Sequence, residues 1–595
     1  MSPKYAQTWN LDVFFEGGSD SPGLKKELTD LEKQIPRLKE KILAIDTSGS
    51  EVPVEIWNEA LEELQQLSNR LHEAFSYISC LSSANMRDEQ AQILRGQAAQ
   101  LIASHSSVLT ALDSKITQCS EEYWQQLIER PEIRPISFAL REKRQRAMEK
   151  LPPEQEELVG NLSVDGYHGW GQMYNTIVGR MQIPCEENGK IHYLSVGQAF
   201  NKLSNPDRKI RRQIFAKWEE AWKNEADLFA ETLNHLAGHR LQLYKHRGWD
   251  SVWKEPLDDN RMREETLRAM WEAIETEKHR LVKYLERKAK LLQIERLSWY
   301  DLHAPLPGVN KTVPYDEAAD FIVEQFRHFS RDLAEFAQHA FENRWIEAED
   351  RPGKRPGGFC ASFPVSEQTR IFMTYSGTPS NVSTLAHELG HAYHQHVMKG
   401  LPALVQEYAM NVAETASTFA ELIVTDAAIR HADSREERVI LLEDKLQRAV
   451  SFFMDVHSRF LFETRFYEER KQGPLTPTRL CELMVEAQKA GFAHSLAEYH
   501  PHFWASKLHF YNTYVPFYNF SYTFGYLFST GIYARALEQG TAFAQKYVDL
   551  LRDTGRMTVE DLAEKHLGVD LTKPDFWQQA VDLVLADVDE FLSLT

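Results

Sequence analysis

Apolar residues recur at steps of three and four along much of the chain. The clearest example in the first hundred residues is the series Trp57, Leu61, Leu64, Leu67, Leu71, Phe75 and Ile78. Residues at these steps lie on one face of an α-helix, with polar residues on the opposite face. The series therefore predicts an amphipathic helix whose apolar face packs into a core.

A second long helix is predicted after Asn205-Pro206, because asparagine suits the N-cap and proline the first turn. Its apolar positions are Ile210, Ile214, Trp218, Ala221, Leu228 and Leu236. Since most of the sequence has this amphipathic character, we predict a mainly α-helical protein. We divide it coarsely into a helical N-terminal region, residues 1–195, and a larger helical body, residues 196–595.

Strand patterns are sparse and local. Asn188-Gly189 is typical of a two-residue hairpin turn and separates the short segments 181–183 and 191–194. A second β candidate comprises residues 357–363 and 370–375, and it is entered through the Pro- and Gly-rich segment 351–358. We therefore expect two small β elements in an otherwise helical chain.

The composition excludes several classes of protein. Of the 595 residues, 43% are hydrophobic and 26% are charged, which is an ordinary globular balance and excludes a mainly disordered or collagenous chain. Lys and Arg number 68 against 87 Asp and Glu, so the net charge is −19. An acidic protein of this kind is not expected to bind nucleic acid in general, because the phosphate backbone would be repelled.

The cysteines are scattered singly, at Cys80, Cys119, Cys185, Cys360 and Cys481. An odd number at wide spacing is typical of reduced thiols rather than of a disulfide framework. The N-terminal segment lacks a basic stretch followed by an apolar one, and no apolar run approaches the ~18 residues of a membrane-spanning helix. We therefore predict a soluble, cytoplasmic protein with no membrane partner.

The candidate chemistry lies in His387-Glu388-Leu389-Gly390-His391. On a helix, the two histidines are one turn apart on the same face, so both imidazoles can bind one Zn²⁺. Glu388 adjoins the first histidine, where its carboxylate could take a proton from a reacting water. Pro379-Ser380 is a suitable start for such a helix. Because this short pattern also occurs by chance, a third ligand decides whether it is a metal site.

Two known positions for the third ligand are excluded by the sequence. A histidine ten residues after His387 would fall on Val397, and a glutamate nineteen residues after His391 would fall on Met410. The next helical segment offers Glu414 and Glu421. Glu414 lies 23 residues after His391, which is enough for one helix to end and a second to return.

Together, the segments 372–378, 385–394 and 414–421 resemble peptidase family M3, most closely its oligoendopeptidase F branch, with thimet oligopeptidase as a more distant relative. The family pattern HExGHxxH followed by Glu-x-x-Ser-x-x-x-Glu is present in full through His394 and Glu421. The resemblance is sharpest from about residue 350 to 530. It implies a mainly α-helical, two-lobed metallopeptidase with a deep substrate channel and a small β-sheet beside the zinc helix, with residues 196–595 as the catalytic domain.

The resemblance also implies roles for individual residues. Zinc, one ion per chain, would be bound by His387, His391 and Glu414, and Glu388 would be the general base that passes the proton on. Glu421 would accept a hydrogen bond from a ligand imidazole, with a solvated helix face as the alternative. His394 would either support the ligands or have a purely structural hydrogen bond, whereas His396 is expected at the surface.

In the family, a histidine and one or more tyrosines from the C-terminal region face the metal and stabilise the oxyanion. Residues 508–522 are rich in such donors. His509 and Tyr518 are our candidates, and the spacing leaves Tyr511, Tyr514 and Tyr522 as alternatives. Aromatic core packing is the other reading for these residues.

The segment 370–375 resembles the family's edge strand, to which an extended peptide would add through backbone hydrogen bonds. Gly357 and Gly358 would permit close approach of that peptide, and Tyr375 is a further candidate contact. An internal hairpin with no ligand is the alternative.

The implied activity is zinc-dependent hydrolysis of internal bonds in short unstructured peptides. A dipeptidyl peptidase or carboxypeptidase on a related scaffold would instead need a cationic pocket for the terminal carboxylate, which the sequence does not locate. A non-catalytic helical peptide-binding protein is the alternative from another class.

Overall fold

Helices form most of the structure, a computed structural model that describes residues 3–49, 52–187, 189–308 and 312–595. The first ten helices are α1 (Pro22–Leu43), α2 (Val54–Ala84), α3 (Glu89–Gln118), α4 (Glu121–Ile128), α5 (Ser137–Met148), α6 (Pro153–Ser163), α7 (Gly169–Arg180), α8 (Val196–Lys202), α9 (Arg208–Asn224) and α10 (Ala226–Arg247). The mainly α-helical fold class is confirmed. Within the described ranges, no helix is both long and apolar enough to cross a membrane.

The next eight helices include those around the predicted metal site. They are α11 (Lys254–Asp259), α12 (Glu264–Glu277), α13 (His279–Leu291), α14 (Tyr315–Phe329), α15 (Arg331–Glu342), α16 (Pro379–Val397), α17 (Met410–Ala413) and α18 (Thr415–Arg430). The last eight are α19 (Arg435–Val450), α20 (Val456–Arg470), α21 (Pro477–Gly491), α22 (Phe503–Ser506), α23 (Phe520–Gln539), α24 (Ala544–Asp553), α25 (Val559–Leu567) and α26 (Pro574–Leu594).

Two hydrophobic clusters organise these helices. The N-terminal cluster consists mainly of buried residues between Trp9 and Leu140, on α1 to α5. The predicted stripe of α2 lies in it, and Trp57 and Leu64 are fully buried. The main cluster contains Tyr5 and then residues from Tyr167 to Phe591. The stripe therefore has the core role that its spacing predicts.

The second predicted stripe is divided between two helices. The first, α9, begins after Asp207, whose side chain accepts a hydrogen bond from the Lys209 backbone, so Asp207 rather than Asn205 is the N-cap. The chain leaves helical geometry at Glu225 and α10 follows. Leu228 lies 52% exposed, so the prediction of one continuous apolar face was wrong there. Because the helix is interrupted here, the buried face of α10 does not continue the buried face of α9, and a spacing counted across the break no longer identifies buried residues.

Strand β1 (Ile183–Glu187) pairs antiparallel with β2 (Lys190–Leu194), which confirms the predicted hairpin, although Asn188 of its turn lies outside the described residues. The other sheet contains β3 (Ile346–Glu347), β4 (Phe359–Phe363) and β5 (Gln368–Phe372), in the order β3-β5-β4.

The strand β5 lies between the two hydrophobic clusters. Successive side chains of a strand point to opposite faces, and here Ile371 packs in the main cluster while Phe372 packs in the N-terminal cluster. The sheet therefore joins the N-terminal helices to the helices that carry the predicted metal ligands.

Helices α19 and α20 are continuous through one wide turn. Residues Ser451–Asp455 form a π-helical turn between Val450 and Val456. Such turns accommodate an extra residue within an α-helix and are frequent at functional sites.

Candidate metal centre

The helix α16 carries the two histidines. It begins as predicted at Pro379, where Thr378 is the N-cap and its side chain accepts a hydrogen bond from the Asn381 backbone. His387 and His391 follow one turn apart, with ring centroids separated by 4.9 Å. Their imidazoles therefore face the same space.

Glu414 completes this group from the short break between α17 and α18. Its Oε2 lies 3.2 Å from His387 Nε2 and 3.6 Å from His391 Nε2. Of the described residues, these three form the group of potential metal ligands, with one donor atom from each lying within 4.8 Å of the others. Ser417 Oγ donates to Glu414 Oε2 at 2.8 Å and fixes the carboxylate.

The protonation states suit a divalent cation. Burial, followed by the neighbouring His387, lowers the pKa of His391 to about 4, so its imidazole is neutral and its lone pair is available. Burial acts to raise the pKa of Glu414, but hydrogen bonding to His387 and the electrostatic influence of the adjacent His391 ring bring it to about 2. Two imidazoles and one carboxylate are the donor set of many catalytic zinc sites, so these residues fit the ion.

The close approach of α16 to α18 depends on Gly390. A Cβ at this position would lie 2.4 Å from the Ala416 carbonyl oxygen and 2.6 Å from Ser417 Cα. Only glycine allows this contact without a backbone shift, and the contact brings Glu414 within reach of the two histidines.

Glu388 lies beside the ligands and is 6% exposed. Its Oε2 is buried and has no hydrogen-bond partner among the described residues. Burial raises the pKa of this carboxyl to about 7, with His387 acting to lower it and Glu414 to raise it. A Cβ on Gly358 would lie 3.1 Å from Glu388 Oε1, so the predicted close approach at Gly358 is to this carboxylate.

Glu421 lies behind the first ligand. Its Oε2 is 3.0 Å from His387 Nδ1, which leaves Nε2 of that ring facing Glu414. The other oxygen of Glu421 pairs with Arg448 of α19. A carboxylate in this position orients the ring and selects its tautomer.

His394 is turned away from this centre. Its Nε2 lies 3.2 Å from the Leu551 carbonyl oxygen and 2.9 Å from Thr554 Oγ1, and its ring stacks on Tyr408. It joins α16 to the end of α24 and does not support the ligand imidazoles. His396 packs against Phe336 and is half-buried, so the expectation of a surface position was wrong.

Of the aromatic candidates, His509 and Tyr522 line the cavity at the centre. Tyr518 packs against both, with ring centroids 5.3 Å from His509 and 5.1 Å from Tyr522. Burial, followed by Arg459 and Lys507, lowers the pKa of His509 to about 4. A neutral imidazole there retains one N–H that can donate to a developing oxyanion.

Tyr511 and Tyr514 do not join this group. Tyr511 is buried against Tyr174, in an aromatic stack with ring centroids 4.0 Å apart. Tyr514 is 81% exposed and stacks on His168. The core alternative therefore applies to Tyr511, whereas Tyr514 lies at the surface.

The β segment also differs from the expectation. The segment that resembled an edge strand, β5, is the middle strand, and β4 lies at the edge. Tyr375 is buried and its hydroxyl donates to the Val313 carbonyl oxygen at 2.8 Å, so it is not a substrate contact. Gly357 has φ +97°, a left-handed conformation that favours glycine, and it precedes Gly358 at the start of β4.

A cavity of about 590 Å³ opens beside these residues. Sequence reasoning missed most of the other side chains that line it, among them Arg448, Arg459, Lys507 and Tyr526. The first two lie on the continuous α19–α20 helix, where no motif marks them. Lys507 precedes His509 by two residues, and this proximity was the available signal.

Comparisons with known proteins identify the family of the chain. The family model described as peptidase family M3 matches residues 202–583, and the one described as oligopeptidase F matches residues 115–183. Oligopeptidase PepF of Bacillus subtilis is 24% identical, over 99% of this chain and 88% of that protein. An oligoendopeptidase F homolog of Lactococcus lactis subsp. lactis is 22% identical, over 97% of this chain and 95% of that protein.

The fold is shared with solved structures. Oligoendopeptidase-F from Enterococcus faecium superposes with a TM-score of 0.69 at 20% sequence identity. The match covers 97% of this chain and 99% of that chain.

Proposed function

The chain belongs to peptidase family M3 and is a metalloendopeptidase, and we propose that it uses zinc to cleave internal bonds of short, unstructured oligopeptides. The observation that carries the proposal is the group formed by His387, His391 and Glu414, with Glu388 beside it in one cavity. Two imidazoles and a carboxylate would hold the ion. When bound, Zn²⁺ supplies Lewis-acid chemistry that polarises a carbonyl oxygen and makes water more acidic.

Glu388 is proposed as the general base. Its unpartnered Oε2 is available to accept a proton from the attacking water, and burial gives the carboxyl a pKa of about 7, which suits both accepting and returning a proton. The proton then passes from Glu388 to the amine nitrogen of the departing product. Glu421 keeps the His387 ring in place throughout, because it is hydrogen-bonded to Nδ1.

His509 and a tyrosine are proposed to donate hydrogen bonds to the oxyanion. Tyr522 is the better candidate for the phenol because it lines the cavity, and Tyr518 supports it from the side. The edge strand β4 is proposed to bind the substrate backbone, since its outer edge is not paired within the sheet and Gly358 adjoins Glu388.

Two other predictions stand as proposals. The division near residue 195 is supported by the M3 match, which begins at residue 202, and by the second match, which ends at residue 183. A cytoplasmic location is supported by the single, widely spaced cysteines in the sequence.

A series of quenched peptides of increasing length tests the function. We expect internal cleavage that is lost after chelation, returns when Zn²⁺ is restored, and falls for the longest peptides. Mass spectrometry of the products separates the alternatives, since two multi-residue fragments indicate an endopeptidase and repeated release of C-terminal residues or dipeptides indicates the carboxypeptidase alternative. Binding without cleavage by a folded, zinc-loaded sample would favour the non-catalytic alternative.

A further inference from the structure

The cavity beside the metal centre contains a cation whose charge is not paired. Four basic side chains line it, at Lys445, Arg448, Arg459 and Lys507. Lys445 is neutralised by Asp426 and Asp587, at 2.6 and 2.8 Å, and Arg448 by Glu421 and Asp444. Within the described part of the chain, Lys507 Nζ has neither a carboxylate within 4.0 Å nor a hydrogen-bond acceptor. Its ammonium group therefore remains available to a ligand.

The surroundings of Lys507 hold this ammonium group in place. Nζ lies 4.9 Å from the centroid of the Phe503 ring and 5.7 Å from that of Phe200. Aromatic faces attract a cation but do not neutralise it. Lys507 lies between α22 and the short 3₁₀ helix Leu508–Tyr511, so two elements fix its backbone.

Arg459 adds a second cation on the same side. Its guanidinium group lies 5.4 Å from the centroid of the same Phe503 ring that contacts Lys507. Arg459 also forms an ion pair with Asp455 and donates a hydrogen bond to the Asn519 side chain. Arg459 Nε is buried and has no partner among the described residues. Among the described residues, Asp455 pairs with Arg459 and also acts on Lys507, so one carboxylate faces two cations and one positive charge is left over.

The electrostatics agree with this count of charges. Burial, followed by the charge of Arg459, lowers the pKa of Lys507 to about 8, while Asp455 acts in the opposite direction. At neutral pH most molecules therefore carry the ammonium ion in a poorly solvated site. A carboxylate placed there would form a charge-assisted hydrogen bond and restore neutrality.

We propose that Lys507, with Arg459 beside it, is a subsite for a carboxylate of the peptide substrate. The proposal rests on the proposed function, and it adds a preference for substrates with a carboxylate near the bond that is cleaved. That bond must be close, because Lys507 and Glu388 line the same cavity and only one residue separates Lys507 from His509. The carboxylate comes from the peptide C-terminus or from an Asp or Glu side chain.

Four versions of one quenched peptide distinguish these sources. The first has a free C-terminus and no acidic residue, and the second is its C-terminal amide. The third is the same amide with one Asp near the cleaved bond, and the fourth is that amide with Asn in place of the Asp. Wild type is compared with Lys507→Met, which removes the charge, and Lys507→Arg, which keeps it. Lys217→Met is the matched control, since Lys217 lies at the surface of α9 beside Glu220.

For wild type we expect kcat/KM to fall about tenfold to a hundredfold when the recognised carboxylate is removed, the size of one charge-assisted hydrogen bond. A fall from the first peptide to the second identifies the C-terminus, and a fall from the third to the fourth identifies a side chain. Lys507→Met should abolish either difference, whereas Lys507→Arg and Lys217→Met should retain it.

Equal kcat/KM for all four peptides in wild type would overturn the subsite, and so would an equal loss for all of them in Lys507→Met. Calorimetric binding of the same free-acid, amide, Asp and Asn peptides repeats the comparison without turnover. If no peptide is cleaved but the carboxylate preference appears in binding, the proposed function fails and the subsite stands. Circular dichroism of each variant checks that it is folded. If Lys507→Met does not fold, the peptides are compared between wild type and Lys507→Arg.

Discussion

The first helix and the helix behind the metal centre use their residues in opposite ways. In α1, six of 22 residues are buried, at steps of three and four. In α23, 14 of 20 residues are buried, and they cover nearly the whole circumference. A helix with one apolar stripe needs only a core on one side, whereas a helix buried all round must also satisfy its polar groups inside the protein.

Several polar groups of α23 are accordingly bonded within the main cluster, although the buried Tyr526 hydroxyl has no hydrogen-bond partner among the described residues. Thr523 Oγ1 donates to the Phe452 carbonyl oxygen, and Ser529 Oγ donates to the Glu414 carbonyl oxygen at 3.1 Å. A Cβ on Gly525 would lie 3.0 Å from Glu414 Cβ. This helix supports the third ligand directly. The comparison teaches that the N-terminal helices contribute stability through a repeating pattern, whereas the helices of the site are fixed by individual contacts.

The largest expected effect is on the site alone. Replacing Glu388 with Gln keeps the shape of the side chain but removes the proton acceptor, so kcat should fall by roughly a thousandfold or more. The thermal midpoint and the zinc content should remain close to those of wild type. Steady-state kinetics, calorimetry and metal analysis measure the three quantities. Substantial activity in this variant would contradict the role assigned to Glu388.

A substitution in the N-terminal cluster should instead affect stability and leave the chemistry of the site unchanged. Leu64 is fully buried on the stripe of α2 in the N-terminal cluster. Its replacement with Ala should lower the free energy of unfolding by about 2–5 kcal/mol, since apolar contacts are lost and a cavity remains. Denaturant unfolding measures this loss. For molecules that are still folded, kcat should be unchanged, and a large change in kcat would show that the two regions are coupled.

The same substitution, glycine to alanine, sharpens the comparison when it is made at one glycine in each region. Gly390→Ala places a methyl group against the Ala416 carbonyl oxygen and should cost about 1–3 kcal/mol of stability while weakening zinc affinity. Gly96→Ala in α3 meets no atom within 4 Å and should stabilise the protein by about 0.5–1 kcal/mol. Denaturant unfolding and zinc titration of both variants test whether the two substitutions have opposite effects on stability and whether only Gly390→Ala weakens zinc affinity. Equal effects would mean that the contact between α16 and α18 does not constrain the site.

The last effect concerns acid. Burial, followed by Lys278 and Arg465, lowers the pKa of His457 to about 3, against an ordinary value of 6.5. Between these two pH values, His457 is therefore protonated in the unfolded chain and neutral in the folded chain. This stabilising contribution is complete above pH 6.5 and is lost as the pH falls towards 3, at about 1.4 kcal/mol per pH unit.

The variant His457→Phe keeps a ring against Trp271 and removes the titrating group. Its unfolding free energy should depend less steeply on pH between 6 and 4 than that of wild type. Denaturant melts across this range measure the two slopes. Identical slopes would show that His457 is not buried in the neutral form.

The sequence allowed these regions to be predicted to different extents. The stripe of α2 and the start of α16 follow from local spacing, so both could be predicted. The histidine pair also follows from helical spacing, and Glu414 was found through a family motif. The edge role of β4 could not be predicted, because strand order depends on pairing with Ile346 and Glu347, which are distant in sequence.

The remaining errors have similar causes. Tyr518 lies in the turn before α23 and Tyr522 in the first turn of that helix, and which of them lines the cavity depends on the loop before α23, where Phe517 has φ +50°. The available charge of Lys507 is a property of three-dimensional pairing, since Lys445 and Arg448 line the same cavity but are neutralised. No local pattern distinguishes a paired cation from an unpaired one.

The π-helical turn at Ser451–Asp455 gives this part of the chain one residue more than an ordinary α-helix would hold. It separates Arg448, which is paired with Glu421 behind the metal ligands, from Arg459, which lies beside Lys507. Deleting one residue from the turn would restore an ordinary α-helix and largely keep the phase of the residues after it, because the wide turn accommodates that extra residue. Deleting a residue between the turn and Arg459 would instead rotate everything after it by about 100°, so Arg459 would leave the cavity while Arg448 stayed. Relatives of this chain should therefore tolerate the loss of one residue within the turn far better than a loss between the turn and Arg459.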